Sequence, residues 1–264
     1  MIGKQSTIRV NGVDLSVVDR GEGQPTLVFL HYWGGSTETW SDTIDHLSEN
    51  HRCIAFDFRG WGESGKGLLD YGLDALARDT LALIAQIGLT NYVLIGHSMG
   101  GKVAQIVAAQ RPSGLLGLIL VAPAPPTPLH TPPEARAQIR ECLDSREGVY
   151  SVFPTLAHGE LKDEHKDLVV RNSLAGDPAA KDSWLKAGMD YDITHLAPKV
   201  VAPIVVVIGS HDVVETEGAL RTAFDRYYPG TEYVVIEHTG HLIPLQAPGE
   251  LASAINGVAA GFSR

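Results

Sequence analysis

The chain predicts an α/β fold: a mostly parallel sheet, opened by an antiparallel hairpin, with helices on both faces. Three observations carry this expectation. Short continuous apolar runs alternate with amphipathic stretches over most of the 264 residues, the pattern of strands buried on two sides by crossover helices. The first strands instead flank an Asn-Gly pair, a strong hairpin signal. One proline-rich break interrupts the alternation near the middle and marks an insertion.

The elements follow in order. "TIRV", the turn Asn11-Gly12 and "VDLSVVD" form the hairpin, and a Gly21-Glu22-Gly23 turn leads into "TLVFL". The remaining strands read as "RCIAFD", "YVLIG", "LLGLILVA", "PIVVVIG" and "EYVVIE". Helical patterns fall between them: Leu73, Leu76, Thr80, Leu83, Ile84 and Ile87 make one face at a 3.6-residue period. From Pro123 to Ala197 no comparable strand occurs. "PAPPTPLHTPP" opens this region, followed by the helical stretches "PEARAQIRECLDS", "LKDEHKDLVVRNSLAG" and "PAAKDSWLKAGM". The expected organisation is a core of residues 1–122 and 198–264, with 123–197 as a helical cap entering after a strand's C-terminal end.

Composition bounds the function. A hydrophobic fraction of 44% and a charged fraction of 20% belong to a globular chain with a sizeable core. The net charge of −10 and the lack of a basic stripe argue against nucleic acid or an anionic membrane as partner. The start "MIGKQSTIRVNGVDL" lacks the pattern of a secretory signal, and runs such as "IVVVI" are too short to span a bilayer. Cys53 and Cys142 fit neither a disulfide framework nor a metal site and read as buried thiols of a cytoplasmic protein. The expected partner is a small-molecule substrate; the sequence sets no oligomeric state.

Three residues can do chemistry together. In "YVLIGHSMGG", Ser98 sits between a buried strand and a helix, with Gly96 and Gly100 on either side. Small neighbours allow a turn sharp enough to expose the hydroxyl, and the Met99 N–H lies at the helix N-terminus, where negative charge is favoured. Serine needs a base. Of 11 histidines, His241 stands just beyond the last strand, on the edge where α/β sites assemble; His238 is the competitor. An acid must fix the imidazole, and Asp212 in "VVVIGSHDVV" directly follows a parallel strand, with a helix N-cap as its ordinary alternative.

The order Ser98, Asp212, His241 resembles that of the α/β-hydrolases, and the resemblance covers nearly the whole chain. "DFRGWGES" is similar to a turn common in that superfamily, with Asp57 and Arg59 expected to pin the turn. "GHSMGG" and "TGHLIPLQAPGEL" resemble its nucleophile and histidine segments, although "LQAP" lacks the usual acidic residue before the proline. The His-Gly-Trp and His-Ser-Met-Gly-Gly combination occurs among bacterial esterases and cofactor-free haloperoxidases. The resemblance puts His31, Tyr32 and Trp33 on the family's His-Gly-x turn, so the oxyanion hole would combine the Trp33 and Met99 N–H groups. Tyr32 stands where the family has glycine. Its ring either packs beneath the cap, its hydroxyl finding a partner, or directs a phenol donor at the oxyanion.

The expected function is therefore a serine hydrolase cleaving a small-to-medium carboxylic ester through an acyl-enzyme. No cofactor and no metal are implied, since zinc and dinucleotide motifs are missing. Tyr32, His31, Trp184 and Met189 are the expected substrate-binding residues, with helix packing the alternative for the last two. An Asp at position 98 would have indicated epoxide or haloalkane hydrolysis. A lactonase, C–C bond hydrolase, acyltransferase or perhydrolase would use the same triad, and a slow-turnover ligand receptor could retain it.

Overall fold

The computed structural model describes residues 4–262. It has eight strands: β1 (Lys4–Val10), β2 (Val13–Arg20), β3 (Thr26–Leu30), β4 (Cys53–Phe56), β5 (Tyr92–His97), β6 (Leu115–Val121), β7 (Ile204–Gly209) and β8 (Glu232–Ile236). They form one sheet in the order β1-β2-β4-β3-β5-β6-β7-β8. β1 pairs antiparallel with β2 and β2 antiparallel with β4; every other pairing is parallel. Val10 faces Val13 across the two-residue turn, and both turn residues take positive φ, Asn11 at 46° and Gly12 at 79°, as an Asn-Gly hairpin requires.

Alternation along the central strands divides the core. Leu27 and Phe29 of β3 point into one apolar layer, Val28 and Leu30 into the other, so both faces need cover. Helices α1 (Ser41–Leu47), α2 (Leu73–Ile87) and α3 (Met99–Ala109) supply part of it. Between β6 and β7 come α4 (Pro133–Cys142), α5 (Arg146–Ser151), α6 (Phe153–Leu156), α7 (Asp163–Ala175) and α8 (Pro178–Ser183). A π-helical turn at Trp184–Gly188 and a 3-10 turn at Thr194–Lys199 close that stretch. α9 (Glu217–Tyr227), α10 (Ile243–Gln246) and α11 (Pro248–Phe262) complete the chain. Ile44 and Leu47 of α1 share one layer with Leu251 and Ile255 of α11; Leu76 and Leu83 of α2, Val103 and Val107 of α3 and Phe224 of α9 share the other.

The inserted helices build a third cluster on the loops beyond the strands. Leu143, Val149, Phe153, Val169 and Val170 pack with Tyr32, which follows β3, and with Leu242 and Leu245, which follow β8. Those loops lie at the C-terminal ends of parallel strands, so the helices sit over that edge. α5 and α6 were not expected from the sequence. Cys53 is fully buried, while Cys142 is only partly so, its Sγ 3.7 Å from Ser151 Oγ on α5.

Candidate active site

Ser98 connects β5 to α3 with φ 51° and ψ −116°, a conformation that costs an L-residue free energy and persists only where neighbours enforce it. They do. The Ser98 N–H donates to Val121 O (3.1 Å), and its carbonyl accepts from the N–H groups of Gly101 (2.9 Å) and Ala124 (3.0 Å). The flanking glycines are steric necessities: a Cβ on Gly96 would stand 2.5 Å from Gly100 O, and one on Gly100 2.4 Å from Leu30 O. Met99 opens α3, so its N–H belongs to the first turn, which has no intrahelical acceptor.

Asp212 and His241 meet from different loops. His241 Nδ1 lies 2.8 Å from Asp212 Oδ2, with both side chains buried. Asp212 Oδ1 accepts from the N–H groups of Val214 (2.8 Å) and Glu215 (3.0 Å), so the carboxylate also ties down its own loop. The backbone of His241 is fixed by His97, whose Nε2 donates to His241 O over 2.8 Å. Burial and the nearby His241 hold His97 well below the usual imidazole range and therefore neutral. Gln246, in the segment that departs from the family pattern, makes a second tie. Its Oε1 accepts from Gly240 N–H (2.9 Å), and its Nε2 donates to His158 O (2.6 Å) between α6 and α7. His238 is elsewhere: its ring stacks toward His211 at 6.0 Å, and it makes no bond to Asp212.

The turn after β3 corrects one expectation. His31 does not line the cavity beside Ser98. It is fully buried, its Nε2 accepting from Phe58 N–H (3.0 Å) and its Nδ1 donating to Tyr32 O (2.7 Å). Burial lowers its pKa to about 4, so the ring is a neutral brace for the turn. Asp57 and Arg59 are braces too: Asp57 accepts from Thr37 N–H and Glu63 N–H, and Arg59 grips Asp79 with two bonds of 2.6 and 2.7 Å. Tyr32 is 5% exposed, its ring packed on His97 at 5.0 Å. Its hydroxyl has no hydrogen-bond partner among the described residues, contrary to what simple packing requires. The Trp33 indole donates to Lys181 O at 3.3 Å.

These residues converge on a cavity of about 350 Å³. Ser98 and His241 line it with Tyr32, Trp33, Trp184 and Met189; Met99 and Asp212 are buried just outside its lining. The remaining wall is largely aliphatic and comes from the inserted helices, with Leu143, Val149 and Val169 among it. Glu215 was missed by the sequence reading and also lines the cavity. Its only signal is a carboxylate three residues after Asp212, which reads as ordinary loop. Larger surface depressions lie away from Ser98, and among the described residues no group of three or more His, Cys, Asp or Glu is placed to hold a metal ion.

Comparison with known families decides the lineage. A family model described as the alpha/beta hydrolase fold matches residues 25–248. The chain belongs to the α/β-hydrolase fold family. This α/β-hydrolase is 27% identical over 270 residues to a soluble epoxide hydrolase of Corynebacterium sp. (strain C12), covering 90% of this chain and 91% of that one. It is 27% identical over 248 residues to a non-heme haloperoxidase of Rhodococcus erythropolis, covering 84% and 90%. A thermophilic esterase from Thermogutta terrifontis superposes with a TM-score of 0.82 at 26% identity, covering 98% of this chain and 99% of that one. The chain is thus an enzyme of the esterase and haloperoxidase branch, with hydrolase activity. Among the described residues, no helix is long and apolar enough to cross a membrane.

Proposed function

We propose that this hydrolase cleaves a small-to-medium, uncharged carboxylic ester through an acyl-enzyme formed on Ser98. One observation carries the reading: the buried 2.8 Å contact of His241 with Asp212 opens on the same cavity as the strained Ser98 turn. With Nδ1–H given to Asp212, Nε2 of His241 is the acceptor left to take the Ser98 proton. The freed oxygen attacks the ester carbonyl, and the negative charge that develops falls to the N–H groups of Met99 and Trp33. His241 returns the proton to the leaving alcohol. Water then attacks the acyl-enzyme by the same route, restoring Ser98.

Residues 123–197 act as a cap that shapes the acyl or alcohol pocket, with Trp184 and Met189 as walls. Among the described residues no Lys or Arg lines the cavity, so a substrate carboxylate would find no counter-charge there, which favours a neutral ester. Steady-state hydrolysis of an activated ester tests the reading. The parent should cycle many times and form an acyl adduct on Ser98 detectable by mass spectrometry. Release of one equivalent of alcohol followed by a stall would instead mark a ligand receptor.

A further inference from the structure

We propose that Glu215 is a specificity-determining residue of this cavity: its carboxyl donates an O–H to a second, uncharged oxygen of the substrate, a keto or ether oxygen beyond the scissile ester. This rests on the ester-hydrolase reading and names the substrate class within it.

The placement comes first. Glu215 lies six residues beyond β7, with its backbone N–H held 3.0 Å from Asp212 Oδ1. The same carboxylate holds His241, so the starting point of the Glu215 side chain is fixed relative to the proposed base. Glu215 is 6% exposed and lines the cavity with Ser98 and His241, yet its side chain makes no hydrogen bond or ion pair among the described residues. The carboxyl oxygens are not sealed in protein but reach the cavity, where a carboxyl among aliphatic walls is costly unless something there pairs with it. The mechanism proposed above has no use for it. A ligand group is the partner the fold leaves to be supplied.

The surroundings choose the protonation state. The charged or titratable groups facing it are Asp212 on its own loop, Lys102 on α3, and His241 and Tyr32 across the cavity. Aliphatic walls disfavour an anion, and the Asp212 charge repels a second one. Lys102 is the only attraction: its Nζ donates to Thr127 O (3.0 Å) and forms no ion pair with Glu215. Burial and Asp212 together push the Glu215 pKa up to about 8, so at neutral pH the group is an O–H donor. A donor in an apolar pocket selects an oxygen acceptor, because an analogue lacking that oxygen leaves the donor unpaired.

The experiment compares phenyl hexanoate with phenyl 4-oxohexanoate, phenyl 5-oxohexanoate and a trimethylammonio-hexanoate ester. The readout is the ratio of kcat/KM to that of the hexanoate, which cancels pH effects common to all the esters. At about pH 6 the parent should prefer at least one oxo ester by roughly tenfold, the worth of one hydrogen bond in such a site. That ratio should fall toward one by about pH 9.5, as the donor ionises. Glu215→Gln, which keeps an N–H donor and the shape, should retain the preference at both pH values; Glu215→Leu should lose it at both. An oxo preference unchanged in Glu215→Leu, no oxo preference in an active parent, or a preference for the cationic ester already present at about pH 6 would each overturn the assignment. No turnover of any ester by the parent would sink the ester-hydrolase reading itself, a distinguishable result.

Discussion

His241 gives its Nδ1 proton to Asp212 Oδ2 across 2.8 Å, in a place where neither side chain is more than 4% exposed. A carboxylate can only accept there, so the contact selects the tautomer whose Nε2 is a base. Asp212→Asn keeps the shape and can still accept from Val214 and Glu215, but its amide would donate to Nδ1 and move the proton to Nε2. Turnover should fall by roughly 10⁴-fold with the fold intact. A variant within tenfold of the parent in kcat would remove Asp212 from the mechanism.

The two histidines of the last loop should part company. His241→Ala should cost about as much as Ser98→Ala, roughly 10⁴-fold or more in kcat, and the double variant little beyond either, because the pair acts as a unit. The His238 ring faces His211 and makes no bond to Asp212, so His238→Ala should stay within about twofold of the parent. Reversed results would transfer the role of base to His238.

Glu215 makes a stability prediction that is independent of turnover. Its pKa is raised from an ordinary 4.5 to about 8 in the folded chain. Between those values the unfolded chain has lost a proton that the folded one still holds. Stability from this group is therefore fully present below about pH 4.5, declines as pH rises through the window and reaches its floor above about 8. Glu215→Gln removes the penalty, so it should match the parent at low pH and exceed it by roughly 5 kcal/mol above the window. Chemical denaturation at both ends measures this; equal gains at all pH values would mean Glu215 is not held protonated.

β1 and β2 were legible from the Asn-Gly turn between them, and the later strands because a parallel sheet covered on both faces writes itself as apolar runs. Ser98, Asp212 and His241 could be picked out as candidates because each lies beyond the end of one of those runs, and the fold brings Asp212 against His241. What depended on distant chain was not. His31 looked like a pocket residue beside Tyr32 until Phe58, 27 positions on, supplied the N–H that turns its ring inward. α5 and α6 are 6 and 4 residues long, too short for periodicity to register. Glu215 has no local pattern; only the folding of apolar helices over it makes a loop carboxylate unusual.

Tyr32 now has a sharper test. Packing alone would have given its hydroxyl a protein partner, and it has none among the described residues. Tyr32→Phe removes a buried unpaired donor, so it should stabilise the fold by about 1 kcal/mol. If that donor serves the oxyanion, kcat should also drop by roughly 10²-fold with KM little changed. A more stable variant with unaltered kcat would leave Tyr32 as a wall of the pocket, and Tyr32→Gly would then be expected to widen the range of accepted esters.

Trp184 should set the length of that pocket. It is 7% exposed, lines the cavity, and stands on a π-helical turn where Gly188 leaves room for it: a Cβ there would meet the indole at 2.5 Å. The indole therefore occupies a fixed volume on the wall of a space of only about 350 Å³. Trp184→Ala should extend that space rather than let it collapse, because its neighbours Leu185, Met189 and Ile193 are packed into the main apolar cluster of the core. The cost in stability should be about 3–5 kcal/mol, typical of a truncated core aromatic. Across an ester series of increasing acyl length, the kcat/KM optimum should shift toward longer chains, each added methylene that fits being worth about 0.8 kcal/mol of burial. Trp184→Phe should shift it less. An optimum that stays put in both variants, with stability lost as expected, would make Trp184 a packing residue of the cap and move the end of the pocket to Met189.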